Sequence, residues 1–337
     1  MLAAEAKKII GALLGRFFIM QKSKILFVLC SHLILFGAIL HGMRQPHRSI
    51  VFQRSLKHGF FFAIEQNRPG TVQGYLLDGM PVDVRSDDDY ETALLHAARS
   101  AAVDVANILI AAKATLDIQD EAGRTALMIV ADSEAEHYQG PLFKTAQLLI
   151  NAHTNLHILD ENGNNALILA TKQLNHDVMQ LLIGALHDDL LERQALTYEN
   201  WFDAPLEICT IILAPFMRSI DDEDANGRSA LYWAVHMRDL EGIEILLEGK
   251  ADINSNADRP IRGSVLWCAI LNHGWEAEEN QANIDIIKYL IQQGADPRLH
   301  GIMDLDIIKQ HPFLGIFPSY QMMVRTALEE AGVRHKS

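Results

Sequence analysis

The sequence predicts an all-α fold, a solenoid of about five to seven stacked helical repeats with an N-terminal hydrophobic helix and a C-terminal helical cap. The main observation is a pattern that recurs about every 33 residues: a capping side chain, a short alanine-rich helix, a longer aliphatic helix and an Asp-x-x-Gly turn. The second observation is size, because 337 residues with 49% hydrophobic side chains suffice for two globular domains or for one elongated array. The regular period favours the array.

The stretch from Thr92 to Thr125 shows one repeat in full. Each threonine precedes a helix, where its hydroxyl can accept a hydrogen bond from an otherwise unpaired backbone N–H. Ala97–Ala98 keep the first helix narrow, and the apolar residues of Val105–Leu109 form one stripe on the second helix. Gly123 supplies the positive φ of a tight turn. Such a helix pair buries too little apolar surface to be stable alone, so it must stack on its neighbours.

Further copies follow along the chain. Capping side chains recur at Asn165, Ser229 and Ser264, each before a short apolar helix, and a divergent first copy runs from Gly59 to Arg85. Because almost two periods separate Asn165 from Ser229, we expect a degenerate repeat at about 196–228.

Three insertions interrupt the period, and we expect extra loop at each. They are Asp132–Lys144, a stretch around His187–Pro205, and Gly274–Ala282, which is acidic and contains Trp275. After residue 298 the pattern fades, and the apolar residues of 299–337 predict two or three helices that cap the open end of the array.

The recurring motifs resemble those of ankyrin-repeat proteins. The matching stretches are Asp120–Leu127, Asp224–Leu231, Ala251–Asn254 and Gly294–Asp296, and the resemblance covers roughly residues 59–298. Alanine or valine stands where the family has the proline of Thr-Pro-Leu-His, and the histidine of that motif is replaced in every copy. The resemblance implies an ankyrin-type solenoid and a non-enzymatic role in protein–protein interaction.

Charge is distributed unevenly. Residues 1–58 contain nine Lys or Arg and one acidic residue, whereas the remainder contains 20 basic and 42 acidic residues. An acidic body repels phosphate backbones, so this distribution argues against nucleic-acid binding by the repeats.

The strongest membrane signal is the uncharged stretch Ile25–Gly42, which is just long enough to span a bilayer as a helix. We expect a single-pass anchor there, after a basic amphipathic segment at 1–24 and before a polar linker at 43–58, with the repeats in the cytosol. Basic residues flank both sides, so orientation stays open. An alternative is a secreted or translocated protein in which residues 20–42, starting at Met20, are an export signal.

Catalytic and metal-binding motifs are absent from the sequence, which predicts no enzyme, no cofactor and no metal. Asp222–Gly227 matches the first half of a calcium loop, but its twelfth position, which must be Glu, is Trp233. Cys268 and Cys209 lie in apolar contexts that predict buried thiols. The alternative left open is an enzyme with its site in the irregular 187–228 region or in the C-terminal region.

The resemblance also implies a binding surface, because ankyrin arrays bind proteins on their concave face, made of the turn tips and the exposed ends of the first helices. Trp233 lies near this face, and Trp275 belongs to an insertion that can add contacts. The predicted partner-binding residues are Asp89, Glu91, Arg99, Glu121, Arg124, Asp132, Glu161, Asn164, Lys172, Ala225, Arg228, Trp233, His236, Met237 and Trp275. Mixed charges beside aromatic and methionine side chains suit a protein partner.

Overall fold

The computed structural model describes residues 46–133, 135–200, 220–255, 264–272, 277–297 and 318–330. Their regular structure is helical, and the one β-type pairing is the isolated antiparallel bridge between Arg85 and Thr92. The chain forms two compact units, residues 1–59 and 60–337. The predicted start of the array, Gly59, lies at this boundary.

Thirteen helices lie in the described part, and they follow one another as successive helix pairs. The first helix is α1 and the last is α13. Their bounds are α1 Pro46–Glu65, α2 Pro69–Leu77, α3 Ala93–Arg99, α4 Val103–Ala111, α5 Ala126–Ala131, α6 Ala135–Asn151, α7 Ala166–Lys172, α8 His176–Asn200, α9 Ala230–Met237, α10 Leu240–Glu248, α11 Val265–Leu271, α12 Ala277–Gln292 and α13 Pro318–Glu330.

The helix pairs stack in two rows. The first helices α3, α5, α7, α9 and α11 pack side by side in that order, and the second helices α2, α4, α6, α8 and α10 form a parallel row. Leu109, Leu182 and Leu246, from three second helices, are at most 1% exposed and belong to one hydrophobic core. The all-α solenoid predicted from the sequence is therefore confirmed.

The predicted capping residues begin the first helices. Side chains of Thr125, Asn165, Ser229 and Ser264 each accept a hydrogen bond from the backbone N–H three residues later. Thr92 occupies the same position before α3, but its buried hydroxyl makes no hydrogen bond in the described part of the chain. The capping bond predicted for Thr92 is therefore wrong, whereas its position at the helix start is right.

The degenerate repeat expected at about 196–228 is not stacked between its neighbours. Helix α7 packs directly against α9, and the backbone N–H of Ala225 donates to the carbonyl of Asn162 over 3.0 Å. Helix α8 continues for 25 residues to Asn200, well past the length of a typical second helix. The long spacing from Asn165 to Ser229 is therefore one repeat with a large insertion, of which residues 201–219 lie outside the described residues.

Insertions lengthen the second helices rather than the loops. Helix α4, in a repeat without insertion, has 9 residues, whereas α6 has 17 and α12 has 16. Most of the insertion 132–144 is the first part of α6, which contains Pro141. The loops expected there are wrong because Ala, Glu and Gln in these insertions are good helix formers.

The structure describes only part of the N-terminal region for which the sequence makes predictions. Helix α1 begins at Pro46, so the segment predicted as a linker, 43–58, is helical from that residue onward. Segments 1–24 and Ile25–Gly42 lie outside the described residues. None of the helices that the structure describes is both long and apolar enough to cross a membrane.

Helix α13 covers the last described repeat. Its residues Tyr320, Val324 and Leu328 are at most 1% exposed, and the Tyr320 hydroxyl donates to the carbonyl of Ala269 over 3.2 Å. The closing role of the whole segment 299–337 stays a prediction.

Candidate functional site

One hydrogen-bonding pattern holds the turns between successive repeats. We call these turns the hairpin tips of the concave face. In the turns that precede α5, α7 and α9, an aspartate accepts hydrogen bonds from the backbone N–H groups two and four residues later. These residues are Asp120, Asp160 and Asp224. Buried carboxylates that accept several N–H bonds hold a turn in one conformation.

Adjacent tips are also bonded to each other. The N–H of Glu161 donates to the carbonyl of Ala122 over 3.1 Å, as Ala225 does to Asn162. Gly163 has φ +75°, and a Cβ there would lie 2.4 Å from the backbone nitrogen of Ala225. A glycine is required at this point because both the dihedral angle and the close neighbour exclude a side chain.

In three successive repeats, the residue directly before the cap contacts the residue eight positions later, at the end of the first helix. We call these two residues a face pair. In the first, the Arg99 guanidinium binds the Glu91 carboxylate, and in the second Arg124 Nη1 lies 3.1 Å from Asp132 Oδ2. Both pairs join a cation to an anion, so neither adds net charge to the concave face.

The third and fourth face pairs lack an acid. Lys172 Nζ donates to the neutral amide oxygen of Asn164. At the fourth pair, the residues at the two corresponding positions are Arg228 and His236. Each of these two pairs therefore contributes a cation that no carboxylate of its own pair balances.

Both cations meet on Trp233. Lys172 Nζ and Arg228 Cζ each lie 4.2 Å from the centroid of its ring, and the His236 ring lies 5.6 Å away at an edge-to-face angle. We call Lys172, Arg228, Trp233 and His236 the cation–aromatic cluster. An indole face attracts cations through its quadrupole, which explains how two positive side chains share one ring.

Asp224 lies beneath the cluster. Its Oδ2 accepts hydrogen bonds from Arg228 Nε at 3.0 Å and from Trp233 Nε1 at 3.2 Å, while Oδ1 accepts the two turn N–H groups. The side chain is 1% exposed. Both oxygens are thus used inside the turn, and the carboxylate positions the cluster from below.

The surroundings disfavour additional positive charge. Burial, together with the nearby Arg228, lowers the pKa of Lys172, although Asp224, Asp160 and Asp132 act in the opposite direction. Partial desolvation of the His236 ring, whose side chain is otherwise exposed, lowers its pKa, and the charges of Arg228 and Arg238 act in the same direction. A bound anion would relieve both effects.

The remaining predicted residues fall into distinct positions. Glu121, Glu161 and Ala225 are exposed at hairpin tips, and Met237 is 44% exposed at the end of α9. Asp89 contacts His96 on α3, and Trp275 lies outside the described residues. The structure gathers Asn164, Lys172, Arg228, Trp233 and His236 at one place and leaves Asp89, Glu91 and Arg99 in an earlier repeat. Their role in binding stays a prediction.

Two residues of this face were missed from the sequence. Gln173 donates to Asp132 of the preceding repeat over 3.1 Å, and Asp224 organises the cluster. The recurrence of Asp five residues before the caps Thr92, Thr125, Asn165 and Ser229 was a usable signal for Asp224. Nothing in the sequence pattern marks Gln173.

One group of side chains has metal-ligand chemistry. Ligand atoms of Asp89, Glu91 and His96 lie within 4.8 Å of one another. Arg99 already binds the Glu91 carboxylate, and His96 Nε2 lies 3.2 Å from Asp89 Oδ1. A cation would have to displace Arg99, so these contacts favour an ion-pair cluster. Cys268, at the other end of the array, is buried as expected, and burial raises the pKa of its thiol to about 12.

Comparison with known proteins agrees with the architecture. The family model for ankyrin repeats (3 copies) matches residues 135–257. The crystal structure of the ankyrin repeat domain of Bcl-3, a unique member of the IkappaB protein family, is 20% identical, covers 70% of this chain and 86% of its own, and has a TM-score of 0.50. No curated protein sequence matches the chain.

The fold and the geometry of the concave face together define a helical-repeat protein. Its concave face consists of the hairpin tips and the first helices. Residues 135–257 match the ankyrin-repeat family, and the fold is that of an ankyrin-repeat array. Ankyrin repeats indicate a scaffold for protein–protein interaction, and the fold is typically a non-enzymatic interaction module.

Proposed function

We propose that this protein is a non-enzymatic scaffold that binds a partner protein through its concave face. The observation that carries the proposal is the cation–aromatic cluster, where the partly exposed Trp233 lies between repeats beside the exposed His236 and Met237. Tryptophan and arginine are the residues in which binding energy concentrates at protein interfaces.

The arrangement of charges supports recognition rather than chemistry. In the described part of the concave face, Glu91, Arg99, Arg124 and Asp132 are held in ion pairs. Ion pairs of this kind fix side-chain geometry and pair these four groups with one another. A rigid surface of paired charges around an aromatic centre is suited to orienting a partner.

A capture experiment tests the proposal. The full chain carrying Arg124→Glu, Arg228→Glu and Glu121→Lys is used as bait, beside a control carrying Lys113→Glu, Lys144→Glu and Glu244→Lys. The control makes the same three charge reversals at exposed positions away from the concave face. We expect proteins captured by the wild type and the control to be lost from the concave-face variant.

Folding is checked separately, because Arg124 and Arg228 also hold their turns. Circular dichroism and thermal melting identify a variant that has unfolded. A second bait, His236→Glu with Met237→Glu, changes exposed side chains only. Retention of every captured protein by both folded concave-face variants would contradict the proposal.

We further propose that the stretch Ile25–Gly42 tethers the array to a membrane, with the repeats on the cytosolic side. The support is its sequence, which contains no Asp, Glu, Lys or Arg over the length that a membrane-spanning helix needs. We expect the full chain to stay with membranes after alkaline carbonate washing and to keep an intact N-terminal segment in mass spectrometry. A mature protein that begins after residue 42 would instead indicate export.

A further inference from the structure

The charge of the face pairs changes along the array. The Glu91–Arg99 and Arg124–Asp132 pairs are neutral, whereas the Asn164–Lys172 pair and the Arg228–His236 positions each contain one cation and no carboxylate when the imidazole is neutral. Arg228 is paired instead with the buried Asp224 below it, over 3.0 Å. The two cations come from adjacent repeats and meet on one indole ring. Because the Asp224 carboxylate is only 1% exposed, the exposed atoms of these two cations form a small positive patch in a chain whose net charge is −14.

Hydrogen-bonding capacity remains on these cations. Arg228 uses Nε and its backbone N–H on Asp224, and its terminal nitrogens make no hydrogen bond to a described residue. The Lys172 ammonium has three N–H donors, of which Asn164 receives one. A carboxylate approaching the ring edge can therefore accept bonds from both side chains, and a terminal guanidinium suits it in the bidentate form.

Building on the proposed concave-face function, we propose that the cation–aromatic cluster binds an acidic, extended segment of the partner protein. Glutamate or aspartate carboxylates of this segment bind Lys172 and Arg228, and its backbone or an apolar side chain packs on Trp233. The argument is charge complementarity at a partly buried site, where ion pairs are stronger than on an open surface. The same negative net charge that leaves this patch isolated repels long polyanions such as nucleic acids, which need an extended basic surface.

The test measures binding of the full chain to synthetic peptides by isothermal titration at low ionic strength. We expect octaglutamate to bind and octaglutamine not to bind. The Lys172→Glu variant places a carboxylate beside Arg228 and should weaken octaglutamate binding by about tenfold or more. The control Lys144→Glu, an equal charge reversal at an exposed position on α6, should change the affinity by less than about twofold.

Two further arms make the outcome decisive. Lys172→Met keeps a long side chain on Trp233 and should also lose most of the affinity for octaglutamate. This variant distinguishes loss of the positive charge from misfolding as the cause of weaker binding. Equal binding of octaglutamate by wild type and Lys172→Glu would overturn the proposal. Tighter, Lys172-dependent binding of single-stranded oligothymidine or of phosphatidylserine vesicles would also overturn it, in favour of a nucleic acid or a membrane.

The failure of this inference is distinguishable from failure of the proposed function. If Lys172→Glu abolishes octaglutamate binding but captures the same proteins as wild type, the partner does not use the cluster, and only the inference fails. If the concave-face baits also capture every protein, the broader proposal fails as well. Loss of both octaglutamate and the captured proteins in Lys172→Glu supports both.

Discussion

The two halves of the concave face have the same backbone and different charge. Around α3 and α5, each face pair joins a cation to an anion, as Arg124 and Asp132 do over 3.1 Å. Around α7 and α9, Lys172 and Arg228 lack such an anion and share Trp233. The comparison shows that the turn aspartate, the glycine and the cap build the frame, while the two positions of the face pair set what the surface can bind.

The largest effect should come from breaking the frame itself. Gly163→Ala forces a Cβ into the backbone of Ala225 at a positive φ. We expect the free energy of unfolding to fall by about 2–4 kcal/mol in chemical denaturation. Gly74→Ala in α2, where a Cβ meets nothing within 4 Å, is the matched control and should gain about 0.5–1 kcal/mol. Similar losses in both variants would show that the tips do not pack as described.

Removing the turn aspartate should lower the free energy of unfolding by different amounts in the two halves of the concave face. Asp224→Ala leaves four donors without their acceptor, and the two cations of the cluster lose their nearest anion. We expect a loss of about 3 kcal/mol, against about 2 kcal/mol for Asp120→Ala, since Arg124 keeps Asp132. Denaturant titration of the two variants measures the difference, and a larger loss at Asp120 would contradict the charge comparison.

Reversing one cation in each half should have unequal effects. Arg124→Glu brings a third carboxylate beside Asp120 and Asp132 and should cost about 1–2 kcal/mol. Lys172→Glu also places an anion near Asp224, Asp160 and Asp132, but the attraction of Arg228 offsets part of this repulsion, so we expect a smaller loss of about 0.5 kcal/mol. Thermal melting of both variants at pH 7 checks this, and equal destabilisation would remove the distinction between the halves.

The smallest effect concerns pH. Burial, with Arg228 and Arg238, lowers the pKa of His236 below 6.5, so the unfolded chain binds a proton that the folded protein resists. The contribution of His236 to the free energy of unfolding is fully present above about pH 6.5. It decreases as the pH falls toward the pKa of this residue in the folded protein. A bound carboxylate favours the imidazolium, so octaglutamate should bind about threefold more tightly at pH 5.5 than at pH 7.5.

The variant His236→Gln isolates this histidine from other titrating groups. It should flatten the rise in octaglutamate affinity between the two pH values. Titration calorimetry at both pH values gives the ratio. An identical pH dependence in wild type and variant would assign the effect to another group.

Sequence periodicity predicted the frame well because caps, turns and apolar stripes are local. Asn165 and Ser229 cap their helices as expected. Periodicity could not show that the long span between them holds one repeat, since an insertion and a degenerate repeat can have the same length. The bond from Ala225 to Asn162 and the packing of α7 against α9 show which tips are neighbours.

The cluster was predicted as a set of residues but not as an arrangement. Lys172, Arg228, Trp233 and His236 were all expected on the concave face from their place in the repeat. Their convergence depends on two repeats coming together across the insertion and on a contact between positions eight residues apart. Such contacts need the turn geometry and the stacking distance, which side-chain types in a sequence do not specify.

Site-specific photocrosslinking tests the central claim most directly. A benzoylphenylalanine residue replaces His236 in the cluster or, as control, Glu244 on the second helix α10, and adducts are identified by mass spectrometry in cells that contain the partner. We predict that the position of His236 forms an adduct with a protein whose crosslinked segment is rich in Glu or Asp, and that the position of Glu244 does not. Adducts from Glu244 with none from His236 would contradict the claim.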